Sequence, residues 1–167
     1  SAVAIETVRA PNTTLEAEVM RRKTLPAIAF GFKTCSQRFK REPVEKRLRE
    51  LGIKEYTQLI VFDFDDPHRA KPYPHNRYPL IVWGWCRDEC IEAIKRAGLP
   101  LPGKSACFFC PSSKKHEILE LQTRYPELAA RAVAMEQNAE LTTIKGLGRD
   151  WAWGDLLKFD AAQIKLF

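Results

Sequence analysis

"RDECIEAIKRAGLPLPGKSACFFCP", residues 87–111, decides how the rest of the chain is read. In its first half Cys90, Ile91, Ile94 and Ala97 recur at helical spacing, which predicts a helix over 87–100. Gly98 suits the left-handed position after the last turn, and Pro100 blocks continuation. The second half closes on a turn carrying Cys107 and Cys110. A C-x-x-C turn aims two thiolates at one centre, as soft-metal sites require, but supplies only half of a four-thiolate set. Three readings stand together: metal ligation, a redox dithiol and plain packing. The dithiol reading draws on Cys110 lying near a predicted helix N-terminus, which lowers a thiol pKa. Cys35, Cys86 and Cys90 could complete a metal site. Cys90 opens the helix that leads back to the turn within 17 residues, and Cys35 sits in a Gly-containing segment able to fold over it. Cys86 follows the Trp85 strand end and reads as a non-ligand.

Working outward, Ser112 or Ser113 is expected to cap a helix running to about Tyr125, and Pro126 to open another. Lys114 and Lys115 place positive charge at a helix N-terminus, where free N–H groups already favour anions. Upstream, 14–24 is predicted helical, with Leu15, Val19 and Met20 on one side. "LPAIAFGFKTCSQRFK" (25–40) is expected to be a loop. Pro43 suits the first turn of a further helix that carries Val44, Leu48 and Leu51 and stops at Gly52. "TQLIVFDF" (57–64) is the clearest strand, followed by an Asp63, Asp65, Asp66 turn that faces water. "YPLIVWGW" (78–85) is expected to be a second strand, with Trp83 and Trp85 packed on one face. Two strands among about six helices are too few for a self-sufficient sheet, so completion by further strands or by another polypeptide is expected.

Composition sets the class. The chain has 167 residues, 45% hydrophobic and 29% charged, as expected of a globular protein. It is expected to form one domain, with 1–24 as an N-terminal helix or linker, 25–140 as the core and 141–167 as a tail. No apolar run approaches the roughly 20 residues that cross a membrane. The opening residues lack the order of a secretory signal, so a cytoplasmic location is expected. Five cysteines, an odd number, disfavour a disulfide framework and point to metal or redox chemistry. The net charge of +6 is uneven: residues 1–50 hold 11 Lys/Arg against 6 Asp/Glu, while the remainder is nearly balanced. That surplus suits an anionic ligand, whether nucleotide, sulfate ester or nucleic acid.

Several blocks carry a resemblance. "LPAIAFGFKTCSQRFKREPVEKRL", "FDFDDPHRA", "NRYPLIVWGW", "RDECIEAIKRAGLPLPGKSACFFCP" and "YPELAARAVAMEQNAELTTIKGLGRDW" resemble, in that order, the later part of the phosphoadenosine phosphosulfate (PAPS) reductase-like family over residues 25–155. The resemblance implies an α/β class, the helix-rich later half of an adenine-nucleotide α-hydrolase-like fold with few strands and a cysteine metal site. It implies an enzyme acting on a sulfated or adenylylated substrate. Cys35, Cys107 and Cys110 match cysteines of the cluster-binding members, and Cys90 is the candidate fourth ligand, with Cys86 as reserve. The cofactor implied is a [4Fe-4S] cluster. Arg38 and Lys40 match basic positions that face the nucleotide, and Asp66 and Arg69 match positions after the middle strand. With Lys114 and Lys115 they form the expected anion-binding set.

The chain also departs from that pattern. The family's S-G-G-x-D-S phosphate loop is absent, so three readings stand: the first half has been removed, a separate partner chain supplies the phosphate-binding half, or the chain is a remnant without nucleotide chemistry. Where some relatives carry a Cys-Cys pair, this chain has Cys35-Ser36. A rival reading is a non-catalytic module stapled by zinc, whose basic face meets nucleic acid or protein. Spacing alone does not separate zinc from iron.

Overall fold

The computed structural model describes residues 6–10, 13–103 and 105–158. In chain order the helices are α1 (Leu15–Arg21), α2 (Thr34–Ser36), α3 (Glu42–Glu50), α4 (Pro79–Trp83), α5 (Arg87–Arg96), α6 (Lys115–Arg124), α7 (Pro126–Asn138) and α8 (Trp153–Leu157). The strands β1 (Gln58–Leu59) and β2 (Asn76–Arg77) complete a helix-rich, mixed α/β chain. Contacts divide it into two compact units: Ser1–Arg47 with Ala106–Phe167, and Leu48–Ser105. No helix of the described residues is long and apolar enough to cross a membrane.

The first unit holds the core. Helices α6, α7 and α8 pack on one another, and α1 lies against α7. Ala129 and Ala132 on α7 are fully buried, and such small side chains let neighbouring helices approach closely. Val19, Leu25, Phe109, Ile118, Val133, Met135, Leu147, Trp153 and Leu157 fill the same cluster. Pro126 stands at the start of α7, where its missing N–H costs nothing. The end of α1 is tied to the end of α7: Asn138 Nδ2 donates to Met20 O (2.8 Å) and Glu140 N–H to Lys23 O (2.9 Å).

A carboxylate organises the segment after α7. Glu136 is buried, and its oxygens accept from the N–H groups of Leu147 (2.6 Å), Trp153 (2.9 Å) and Gly154 (3.0 Å). Burying a charge is costly unless its oxygens are filled, and here three backbone donors fill them. The fit is close enough to require glycine at 146, where an added Cβ would lie 2.2 Å from Glu136 Oε2. The last residues of the expected tail, 159–167, lie outside the described residues.

The segment expected to be a loop around Cys35 is helical. α2 continues into a π-helical turn, Gln37–Arg41, and then into α3. Pro43 therefore lies inside a helical run rather than at its start. Proline lacks an N–H and its ring collides with the carbonyl four residues back, here that of Phe39. The wider turn, in which Glu42 N–H bonds to Gln37 O, makes room for it. Gly52 ends the run as expected, with φ 68°. α6 also differs at its start, because its N-cap is Lys114 rather than a serine, and Glu117 Oε2 accepts from Lys114 N–H at 2.7 Å.

In the second unit β1 and β2 pair in parallel, in the register Gln58↔Asn76 and Leu59↔Arg77. The expected strand over 57–64 thus keeps two paired residues. Leu59 and Val61 are 67% and 69% exposed. The expected strand over 78–85 is instead α4. Pro79 presets the first helical φ. Gly84, at φ 67°, ends the helix with Gly84 N–H to Ile81 O (3.2 Å) and Trp85 N–H to Leu80 O (2.8 Å). Trp83 is consequently exposed rather than packed, although its ring meets that of Trp85 at 5.3 Å. α5 follows the sequence reading. Gly98 N–H bonds to Lys95 O and Leu99 N–H to Ile94 O, the two bonds that close a helix on a left-handed residue.

Candidate cysteine site

Residues 107–113 form two successive turns: Cys110 N–H donates to Cys107 O (3.0 Å) and Ser113 N–H to Cys110 O (2.9 Å). The two residues between the cysteines anchor the first turn. Phe109 is only 4% exposed within the core cluster, and Phe108 packs against that cluster and meets Phe109 edge-on at 4.7 Å. The Arg131 guanidinium lies 4.9 Å from the Phe108 ring and is held in a fork by Glu16. With both rings directed into protein, the turn is fixed from below. Cys107 is left exposed and Cys110 half-buried.

Cys35, on α2, lies near enough for its charge to act on Cys107, although it is about 70 positions away in sequence. The Cys107 thiol responds to the charges of Lys40, Cys110 and Cys35. Its pKa lies above the ordinary thiol value. Loss of hydration is the largest cause, the Lys40 ammonium opposes it, and Cys110 and Cys35 add to it. Three thiols and one ammonium of the first unit therefore share one electrostatic neighbourhood. All five thiols are free, and among the described residues no group of three or more His, Cys, Asp or Glu is arranged to hold a metal ion.

Cys86 and Cys90 belong to the second unit. Cys90 is half-buried near the start of α5. Cys86 is its N-cap, and its thiol donates to Asp65 Oδ1 at 3.4 Å. The Cys86 pKa is pushed up to about 11, first by that hydrogen bond, then by loss of hydration and by the charges of Asp65, Glu89 and Asp63. Any thiol must lose its proton to ligate a soft metal, and the Asp65 hydrogen bond makes that loss harder for Cys86.

The six expected anion-binding residues fall into separate settings. The Lys40 charge acts on Cys107. Arg38 donates from Nη1 to Glu18 Oε1 at 2.5 Å, and Glu18 also accepts from Arg22 at 3.2 Å. Lys114 caps α6, and the Lys115 ammonium lies 5.2 Å from the Trp151 ring. Asp66 and Arg69 pair with each other at 2.9 Å in the second unit, where Arg69 also lies 4.3 Å over the Phe62 ring. Sequence reasoning missed Glu18 and Glu136. An i,i+4 Glu18–Arg22 pair was visible in the helix pattern, but nothing local signalled that Arg38 would join it.

Comparison with protein-family models, curated proteins and solved structures finds no match to this chain.

Proposed function

We propose that this chain is the cysteine-centre half of a PAPS reductase-like enzyme, with the helix-rich later half of an adenine-nucleotide α-hydrolase-like fold. Its centre is a [4Fe-4S] cluster held by Cys35, Cys107 and Cys110, with Cys90 as the fourth thiolate, and its substrate is a sulfated or adenylylated molecule. The observation that supports this reading is that the charges of Cys35, Lys40 and Cys110 all act on Cys107. Three thiols suit a soft centre, and oxygen-ligated ions do not require them. When bound, the cluster supplies electrons or polarisation to the sulfur group. The chain's own residues would do the rest. Lys40 favours the thiolate form of Cys107 and draws an anionic group toward it, and charge-assisted bonds of this kind are about twice as strong as neutral ones. Phe108 and Phe109 hold the turn against the core. Lys114 and Lys115 add charge at the start of α6.

Anaerobic purification of the full chain tests the reading. Brown protein whose visible absorption is bleached by dithionite supports it. Colourless protein containing stoichiometric zinc overturns it in favour of the stapled binding module, and protein binding neither metal overturns both.

A further inference from the structure

A cavity of 420 Å³ opens in the first unit, with Cys35 in its wall. We infer that this cavity binds a planar aromatic molecule carrying one anionic group, with the ring on the phenylalanines and the anion on Arg22 and Arg38.

The apolar part is built by Val19 and Leu25, which are buried, and by three rings, Phe30, Phe32 and Phe39. Phe32 is 65% exposed and Phe30 37%. Aromatic surface kept in water beside a concavity is what a stacking ligand would cover. The volume falls within the roughly 300–1,000 Å³ range of small-molecule sites.

The polar part selects charge. Glu18 lines the cavity, its side chain 9% exposed, and its Oε1 accepts from both Arg22 and Arg38. Two guanidiniums against one carboxylate leave a surplus positive charge at the cavity. Among the described residues, each guanidinium spends one N–H group on Glu18, out of the five donors it carries. Glu18 thus holds the two planar forks in place, with donors remaining for a carboxylate, sulfonate or phosphate. The Arg38 guanidinium also lies 5.5 Å from the Phe39 ring, so the cationic and aromatic parts adjoin. A purely apolar ligand would leave that charge unanswered, and a small inorganic anion would leave the rings in water. The inference needs no metal and stands apart from the cluster reading.

Isothermal titration of the full chain with naphthalene-2-sulfonate tests it. Ligand-efficiency limits predict a dissociation constant of about 0.1–1 mM. Inorganic sulfate and neutral 2-naphthylmethanol should each bind at least about tenfold more weakly, because each offers only half of the recognition. Arg38→Gln should weaken the sulfonate about tenfold. Because Arg38→Gln also disturbs Glu18, a second variant, Thr34→Trp, keeps Glu18 and both arginines but places a bulky ring in the cavity from an exposed position, and should abolish binding. Arg96→Gln, in the second unit, should leave it unchanged. Equal affinity for sulfonate and sulfate, or for sulfonate and the neutral alcohol, would overturn the inference. So would undiminished binding in a folded Thr34→Trp chain.

Discussion

Replacing Glu136 with alanine removes the acceptor for three backbone donors at once. Two of them, the N–H groups of Leu147 and Trp153, belong to residues with 0% and 1% exposure. Hydrogen bonds to a charged group contribute about 1.5–3 kcal/mol each, so the gross loss is about 5–9 kcal/mol. Against this, the variant no longer buries a carboxylate, which offsets several kcal/mol. The balance predicts a net destabilisation of about 3–5 kcal/mol, among the larger effects of a single substitution. Glutamine should cost less, about 2 kcal/mol, because its carbonyl can still serve Leu147 and Trp153 while its amide turns a donor toward Gly154. Urea unfolding of the full chain, followed by far-ultraviolet circular dichroism, reads the difference as a midpoint shift at constant slope. With a slope of about 2 kcal/mol per molar urea, alanine should lower the midpoint by about 2 M. A shift below about 0.5 M, or a glutamine variant worse than alanine, would refute the reasoning.

Two further outcomes follow from the anchoring of the cysteines. Phe109→Ala should destabilise the chain by about 3–5 kcal/mol and speed alkylation of Cys107 and Cys110, whereas Phe109→Leu should do neither strongly; peptide mapping after iodoacetamide treatment reads both. Cys86, with its pKa pushed up to about 11 by the Asp65 carboxylate, should be the slowest thiol to alkylate at pH 8 and should accelerate only as pH approaches that value. Asp65→Asn removes the negative charge that disfavours the thiolate, and should bring the acceleration to lower pH.

Signals written within a few residues were legible in the sequence. Gly52 and Gly98 end helices where they were expected to, and Pro126 opens α7, because each rests on a backbone property of a single residue. Residues 78–85 failed for a related reason. Their β-branched and aromatic side chains suit a strand, but Pro79 and Gly84 bracket a helix, and the bracket decided the outcome. The π turn under Pro43 was hidden because proline at a helix start and proline behind a widened turn look alike in one dimension. Long-range pairing was hardest to see. Glu136 finds donors 11, 17 and 18 residues on, and Glu18 meets Arg38 20 residues on. No local pattern encodes such partners. That the Cys35 segment could fold toward the C-x-x-C turn was expected both from the glycine it contains and from the resemblance.

The claim at the centre of this account is that Cys35 and the Cys107–Cys110 turn hold one cluster. Iron and acid-labile sulfide per chain, measured on anaerobically purified wild type and on Cys35→Ser, Cys86→Ser and Cys90→Ser, test it directly. About four iron and four sulfide are predicted for the wild type and for Cys86→Ser, with both falling sharply in Cys35→Ser and Cys90→Ser. Full iron and sulfide in Cys35→Ser, or none in the wild type, would contradict it.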